Sequence, residues 1–119
     1  MDEMRFELRL TIGDAAPAGA DVDVAVFGDL DRTSVPEFLT AVRNALETCE
    51  RVRVDISLAT VIDSVALGAL IQLHQSAIER NRSIEIVIGA RYQRVLLETA
   101  GLYDYLTVTD LADHGHEAT

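Results

Sequence analysis

The fold of this chain is decided by the stretch Val61-Ile62-Asp63-Ser64-Val65-Ala66-Leu67-Gly68. Before it, residues 51–57 alternate apolar and polar side chains with the period of a strand. After it, apolar residues recur at helical spacing, at Leu67, Leu70, Ile71 and Ile78. The pattern predicts Ser64 as the N-cap of a helix, where the aligned peptide dipoles leave about half a positive charge. A phosphate on that hydroxyl would be well accommodated, although the residues alone also fit an ordinary cap.

In the rest of the chain, segments whose apolar residues have the spacing of strands alternate with segments that have the spacing of helices. Apolar residues at every second position predict strands over 4–12, 22–26, 52–56, 84–88 and 106–108, with a turn at Gly28-Asp29. The segment Ser34-Val-Pro-Glu37 reads as a capping box that opens a helix. A third helix carries Tyr92, Val95, Leu96 and Thr99, with Gly101 as its left-handed C-terminal residue. The order ββαβαβαβ implies right-handed crossovers and a largely parallel sheet.

The two faces of the predicted sheet differ in polarity. Val52, Val54, Ile84, Ile86 and Ile88 point one way, whereas Arg53, Asp55 and Glu85 point the other way. Strands covered by helices on both faces would read as continuous apolar runs instead. We therefore expect the helices mainly on one face, in a single domain over residues 1–112 with a fraying tail over residues 113–119.

Three segments resemble one known family. The strand, Val61-Ile-Asp-Ser64, and a helix ending near Glu79–Arg82 resemble the signature of the STAS domain in bacterial anti-sigma factor antagonists. Phe27–Asp31 resembles the Gly-Glu-Leu-Asp turn of that family, and Val95–Leu102 resembles its last helix. The resemblance implies a lopsided, largely parallel STAS fold. It also implies that Ser64 is phosphorylated by a partner that is both anti-sigma factor and serine kinase, of the histidine-kinase-like ATPase type.

The predicted function is therefore that of an anti-sigma factor antagonist, which is not itself an enzyme. It would bind the anti-sigma factor through one sheet edge and free a sigma factor, with Leu30 and Val65 as exposed apolar contacts. The predicted partner-facing residues are Asp29, Leu30, Asp31, Asp63, Ser64, Val65 and Gln72. Because Val65 and Ala66 stand where the family has a small residue and glycine, a non-switching scaffold is the alternative, in a stress-signalling complex or a lipid ABC transporter. A small flavodoxin-like enzyme would need a site motif that the sequence lacks.

Composition narrows the classes of partner. The net charge of −10 over 119 residues argues against a nucleic-acid surface. The sequence contains no stretch near the roughly 20 apolar residues that a membrane span needs. The single cysteine, Cys49, fits a reducing compartment, so we expect a cytoplasmic protein without membrane insertion. The sequence leaves open which sigma factor is controlled and whether the chain forms a homodimer.

Other residues that could carry chemistry have simpler interpretations. Asp29 and Asp31 fit a solvated acidic rim better than an acid–base or cation-binding pair. Asp63 has two interpretations. It could orient the Ser64 hydroxyl or a metal ion bound to the kinase, or it could be a turn residue whose side chain bonds to the local backbone. His74 is interpreted as a packing residue and Cys49 as a small buried hydrophobic residue. His114 and His116 in the tail lack the further ligands that a metal site needs. We expect neither a metal nor a cofactor.

Overall fold

The computed structural model describes residues 6–13 and 16–113. Its elements are β1 Glu7–Ile12, β2 Val22–Leu30, α1 Val35–Thr48, β3 Arg51–Asp55, β4 Ala59–Ile62, α2 Ser64–Glu79, β5 Ser83–Ile88, α3 Arg91–Thr99, β6 Val108–Asp110 and a 3-10 turn Leu111–Asp113. The predicted order is confirmed except for β4, because the sequence analysis predicts no separate strand between β3 and the helix at Ser64. The predictions for Met4, His114, His116 and most of the tail lie outside the described residues.

The strands form one mixed sheet in the order β1-β2-β3-β5-β6, with β4 paired to β2. β1 runs antiparallel to β2, and all other pairs are parallel. β3 pairs with the first half of β2 and β4 with its last residues, so β3 and β4 follow one another along the same neighbour. The crossovers through α1, α2 and α3 all step in one direction across the sheet. With the usual right-handed connection, this places the three helices on one face.

The core lies between that face and the helices. From the sheet it takes Val22, Val24, Val26, Val52, Val54, Ile84, Ile86 and Ile88, each at most 5% exposed. From the helices it takes Val35, Phe38, Val42, Leu46, Ala66, Ala69, Leu70, Leu73 and Ala77. The intervening strand residues Arg53, Asp55 and Glu85 are only half-buried, on the opposite face. The predicted alternation of burial is confirmed in β2 and β3 but fails at the end of β5, where Val87 on the opposite face is 0% exposed.

β2 is longer than the sequence predicts. The predicted turn at Gly28-Asp29 is wrong, because the strand continues to Leu30 and pairs there with β4. Gly28 adopts φ of 87°, and the pairing register shifts between Gly28 and Asp29, which marks a bulge. Since the chain stays in the sheet, Leu30 enters the core and is 0% exposed. The expectation that Leu30 is an exposed contact residue is therefore wrong.

The start of α1 is held differently from the predicted capping box. The Ser34 side chain makes no cap bond, and its Oγ donates to the Asp29 carbonyl at 2.8 Å and accepts from the Asp31 N–H at 3.0 Å. The Asp31 Oδ1 instead accepts from the N–H groups of Thr33 at 3.0 Å and Ser34 at 3.3 Å. The loop between β2 and α1 thus forms its own hydrogen-bonded unit, with Ser34 buried inside it.

The face of α3 that packs on the core is narrow. Gln93 and Leu97 are buried, whereas Tyr92 is 44% and Val95 47% exposed. This short helix therefore buries only one narrow stripe of residues. The predicted role of Gly101 is confirmed, since it follows the helix end with φ of 76°.

Gln93 ties α3 to the sheet through its side-chain amide. Its Oε1 accepts from the N–H groups of Gly89 at 2.9 Å and Ala90 at 3.1 Å. Its Nε2 donates to the Ile56 carbonyl at 2.8 Å, where the chain passes from β3 toward β4. Its Nε2 also donates to the carbonyls of Ala59 at 3.3 Å and Ser57 at 3.4 Å. A side chain that is 0% exposed thereby bonds to five backbone groups.

We predict that Gln93→Leu lowers the free energy of unfolding by about 2–4 kcal/mol, because buried backbone groups lose their partner. Gln75→Leu on the exposed surface of α2 is the matched control and should change stability by less than about 0.5 kcal/mol. Urea unfolding followed by circular dichroism measures both. Equal stabilities for the two variants would contradict the assigned role of Gln93.

The open sheet face carries a charged row. Arg53 Nε lies 3.2 Å from Asp23 Oδ1, and these side chains are 22% and 14% exposed. Burial raises the pKa of Asp23, and repulsion from Asp55 and Glu85 raises it further, against the attraction of Arg53. Asp23 therefore pairs with the half-buried Arg53 guanidinium while two further carboxylates, Asp55 and Glu85, repel Asp23.

We predict that Asp23→Asn stabilises the protein at neutral pH. The pKa of Asp23 is raised above 3.8 in the folded state, so the folded chain holds the Asp23 proton more tightly than the unfolded chain does. The ionisation of Asp23 therefore lowers stability as pH rises from 3.8 through the raised pKa of the folded state. The gain of the variant should shrink as pH falls below 3.8. Urea unfolding between roughly pH 3 and pH 7 tests this, with Asp104→Asn on the exposed surface as control. A pH-independent difference would contradict the prediction.

Candidate functional site

The predicted site lies at one edge of the sheet. β2 and β4 run parallel and both end there, and α1 and α2 both begin there. The Asp63 N–H donates to the Leu30 carbonyl at 3.3 Å, which fastens the end of β4 to the end of β2. The edge after the carboxyl ends of parallel strands is where loops of different crossovers meet. We call the residues Asp29, Asp31, Val61, Asp63, Ser64 and Val65 the recognition edge.

Asp63, not Ser64, is the N-cap of α2. Its backbone is extended, and its Oδ1 accepts from the Ala66 N–H at 2.9 Å. Its Oδ2 accepts from the Arg32 N–H at 3.1 Å, in the loop that precedes α1. The prediction that Ser64 caps the helix is wrong, because the Asp63 carboxylate fills the capping position and Ser64 is already the first helical residue. One carboxylate therefore holds two loops together.

Ser64 is the first residue of α2 and is exposed. Among the residues that the structure describes, its hydroxyl makes no hydrogen bond. It is flanked by two exposed apolar side chains, Val61 at 45% and Val65 at 44%. The hydroxyl is thus accessible at a positively polarised helix end and is not committed to the fold.

The acidic residues of the edge already have partners. The Thr60 hydroxyl donates to Asp29 Oδ1 at 2.9 Å, and the Thr33 hydroxyl donates to Asp31 Oδ1 at 2.7 Å. The bond from the Thr33 hydroxyl is the main cause that lowers the pKa of Asp31. Over residues 6–13 and 16–113, no three His, Cys, Asp or Glu side chains are arranged to hold a metal ion. A carboxylate held ionised in this way suits an anionic rim rather than proton transfer.

An apolar groove adjoins the recognition edge and was missed by the sequence analysis. It has a volume of about 660 Å³. Its walls are Ile62, Arg91, Tyr92, Val95, Leu96 and Thr99. The sequence analysis places Tyr92 and Val95 on this helix but does not say which of its residues remain exposed, so it does not reveal the groove. The available signal was the spacing of Gln93 and Leu97, which are four residues apart and share one helical face.

The remaining predicted residues lie away from Ser64. Gln72 is about 12 Å further along α2, and its Oε1 accepts from Arg43 Nη2 at 3.1 Å, which links α2 to α1. His74 is half-buried against Tyr105, with ring centroids 4.8 Å apart, as its packing interpretation predicts. Cys49 is half-buried and packs against the core. None of the helices in the described part of the chain is long and apolar enough to cross a membrane.

Comparison with known proteins identifies the fold. The family model described as "Mlab, STAS domain" matches residues 15–110. An anti-sigma factor antagonist from Mycobacterium paratuberculosis superposes with a TM-score of 0.72 at 17% identity, covering 96% of this chain and 93% of that one. SpoIIAA in its unphosphorylated form gives 0.67 at 14% identity, covering 94% and 92%. The Bacillus cell fate determinant SpoIIAA in the phosphorylated form gives 0.66 at 13%, covering 94% and 97%.

These likenesses establish shared architecture rather than shared partners. The identities are far below those at which binding residues could be carried over. No curated protein matches the sequence. The predicted STAS-type fold, a mixed and largely parallel sheet with helices mainly on one face, is confirmed.

We predict that Asp63→Ala lowers the free energy of unfolding by about 1–2 kcal/mol, because α2 loses its cap and the Arg32 N–H loses its acceptor. Ser64→Ala, one residue along, should change it by less than about 0.5 kcal/mol. Urea unfolding compares the two variants with the wild type. A larger loss for Ser64→Ala than for Asp63→Ala would contradict the assignment of the cap.

Proposed function

Because the chain belongs to the STAS domain family, we propose that it is an anti-sigma factor antagonist switched by phosphorylation of Ser64. It binds an anti-sigma factor that is also a serine kinase of the histidine-kinase-like ATPase type, and so releases a sigma factor in the cytoplasm. It acts by binding and catalyses no reaction itself. The observation that carries this proposal is the exposed Ser64 hydroxyl, which no hydrogen bond within the described residues engages, at the start of α2.

Accessibility supports Ser64 as a kinase substrate. A hydroxyl must leave its local hydrogen bonds before it can attack a phosphoryl group, and the described contacts of Ser64 impose no such step. The N-terminus of α2 favours the added negative charge, since the helix dipole is positive there. Asp63 keeps its own bonds to Ala66 and Arg32, so the helix cap does not depend on the state of Ser64. The fold should therefore persist after phosphorylation.

The surroundings of Ser64 support a switch in binding. Val61 and Val65 are apolar and exposed beside it, as suits the centre of an interface. Asp29 and Asp31 lie on the same edge. A phosphoserine would bring nearly two further negative charges into a surface that the partner must desolvate. An unpaired buried charge costs several kcal/mol, which corresponds to a loss of affinity of about a hundredfold or more.

A second function, a STAS adaptor that does not switch, is favoured by two observations. Val65 is a β-branched residue beside the hydroxyl and crowds the approach of a kinase. The matching family model is described as "Mlab, STAS domain", with no mention of sigma factors. In this case the same apolar edge would hold a permanent partner, in a stress-signalling complex or a lipid ABC transporter.

We predict that the wild-type protein and Ser64→Ala capture an ATPase of the kinase type from native cytosol. The affinity of Ser64→Asp for this ATPase should be lower by about a hundredfold. Ser83→Asp is the matched control, because Ser83 is exposed at the start of β5 and should leave capture unchanged. Titration calorimetry with the purified partner measures the affinities. Incubation with that partner and Mg-ATP, followed by mass spectrometry, should place phosphate on Ser64 of the wild type.

Two results would reject the switch. Equal affinities for the wild type and Ser64→Asp would leave a constitutive adaptor. Capture of a transporter ATPase, or of a large assembly, with Ser64 unmodified would favour the adaptor directly.

A further inference from the structure

β1 is an edge strand with an open side. Its outer backbone edge pairs with no strand within residues 6–13 and 16–113, whereas its inner edge pairs with β2 without irregularity from Glu7 to Ile12. Edge strands are usually protected by charged side chains, above all lysine, or by proline, a bulge or short length. The charges of β1 are one opposite pair, Glu7 and Arg9, which a second copy can complement. β1 has six residues, with neither proline nor lysine among them, while β6 at the other edge has only three. β1 is therefore available to another strand.

The helix-facing side of β1 leaves apolar surface uncovered. Leu10 and Ile12 lie opposite the core residues Val24 and Val22, so they share their face. They are nevertheless 46% and 64% exposed. They border a groove of about 380 Å³ against α1, whose lining includes Ala41, Asn44, Thr48 and Cys49. Adjacent exposed apolar residues at an unpaired edge form a candidate contact surface.

The other side of β1 carries two opposite charges. Glu7 and Arg9 share a face, their charged groups lie 3.6 Å apart, and they are 60% and 63% exposed. The Arg9 guanidinium lies 4.8 Å over the centre of the Phe27 ring, which holds it close to the sheet. A strand with one negative and one positive residue two positions apart is complementary to an antiparallel copy of itself.

We propose that a second copy of this chain pairs its β1 with this one in antiparallel orientation, around a two-fold axis at Leu8. In that register Glu7 lies opposite the partner's Arg9, and the two-fold axis forms the same pair twice. Phe6 lies opposite the partner's Leu10 on the helix-facing side, so the exposed leucine gains an apolar neighbour. The two sheets become continuous across the interface.

The charges select this register over its neighbours. Symmetric antiparallel pairing that keeps both helical faces on one side is centred on a single residue. An axis at Glu7 would place two glutamates opposite each other, and an axis at Arg9 would place two arginines opposite each other. Like charges directly opposite are destabilising, whereas opposite charges contribute favourably. Leu8 is the centre that pairs each charge with its opposite.

The interface is small, so the dimer is expected to be weak. A single pair of six-residue strands buries less surface than a standard interface of about 1,200–2,000 Å². We expect a dissociation constant of roughly 10 µM to 1 mM. The net charge of −10 on each copy adds long-range repulsion, which about 0.15 M salt screens beyond roughly 8 Å.

Sedimentation equilibrium over chain concentrations from roughly 5 µM to 1 mM tests the proposal with two charge reversals. Glu7→Arg and Arg9→Glu each place like charges opposite and should weaken self-association at least about tenfold. An equimolar mixture of the two variants should form a heterodimer at least as strong as the wild-type dimer, because every facing pair is then opposite in charge. The doubly reversed chain should recover the wild-type constant within about threefold.

Glu79→Arg is the control for changed net charge, because Glu79 is exposed at the end of α2 and outside β1. It should dimerise at least as well as the wild type. Circular dichroism checks that each variant is folded. A wild type that stays monomeric over the whole concentration range would overturn the proposal. So would single variants that dimerise like the wild type, or a mixture of them that remains monomeric.

Discussion

The Asp63 carboxylate is the interaction on which the recognition edge depends. One oxygen caps α2 through Ala66, and the other holds the Arg32 N–H in the loop before α1. The same residue anchors β4 to β2 through its own N–H and the Leu30 carbonyl. Through its side chain and its backbone, this one residue therefore links two strands and two helix starts. Because it also takes the capping role, the neighbouring Ser64 hydroxyl remains available.

The rest of the edge is organised in the same way, by short polar side chains that bond to nearby backbone. Ser34 donates to the Asp29 carbonyl, and Asp31 accepts from the N–H groups of the loop that it begins. These bonds use groups that a helix start would otherwise leave unpaired. The result is a rigid rim around an exposed apolar centre. A partner that docks there meets a preformed surface and orders little of this chain on binding.

The sequence predicts most of the architecture because burial on one face leaves a simple signal. Alternating residues such as Val52 and Arg53 reveal both the strands and the polarity of the sheet, and the right-handed crossover then fixes the side of the helices. The failures have a common cause in tertiary context. Gly28 reads as a turn residue, but a bulge lets β2 continue, and this buries Leu30. The burial of Gln93 is not signalled by its residue type, because its amide satisfies backbone groups that only the folded chain brings together.

The burial of Ser34 has a consequence for selectivity. Two serines stand at helix starts on the same edge of the sheet, and a sequence motif alone hardly separates them. Ser34 is 6% exposed and its hydroxyl is held by the Asp29 carbonyl, so an enzyme could reach it only after local unfolding of the loop. Ser64 requires no such opening. Under the proposed switch, the fold itself withholds Ser34 from a modifying enzyme, whereas another exposed serine such as Ser83 must be distinguished from Ser64 by its surroundings.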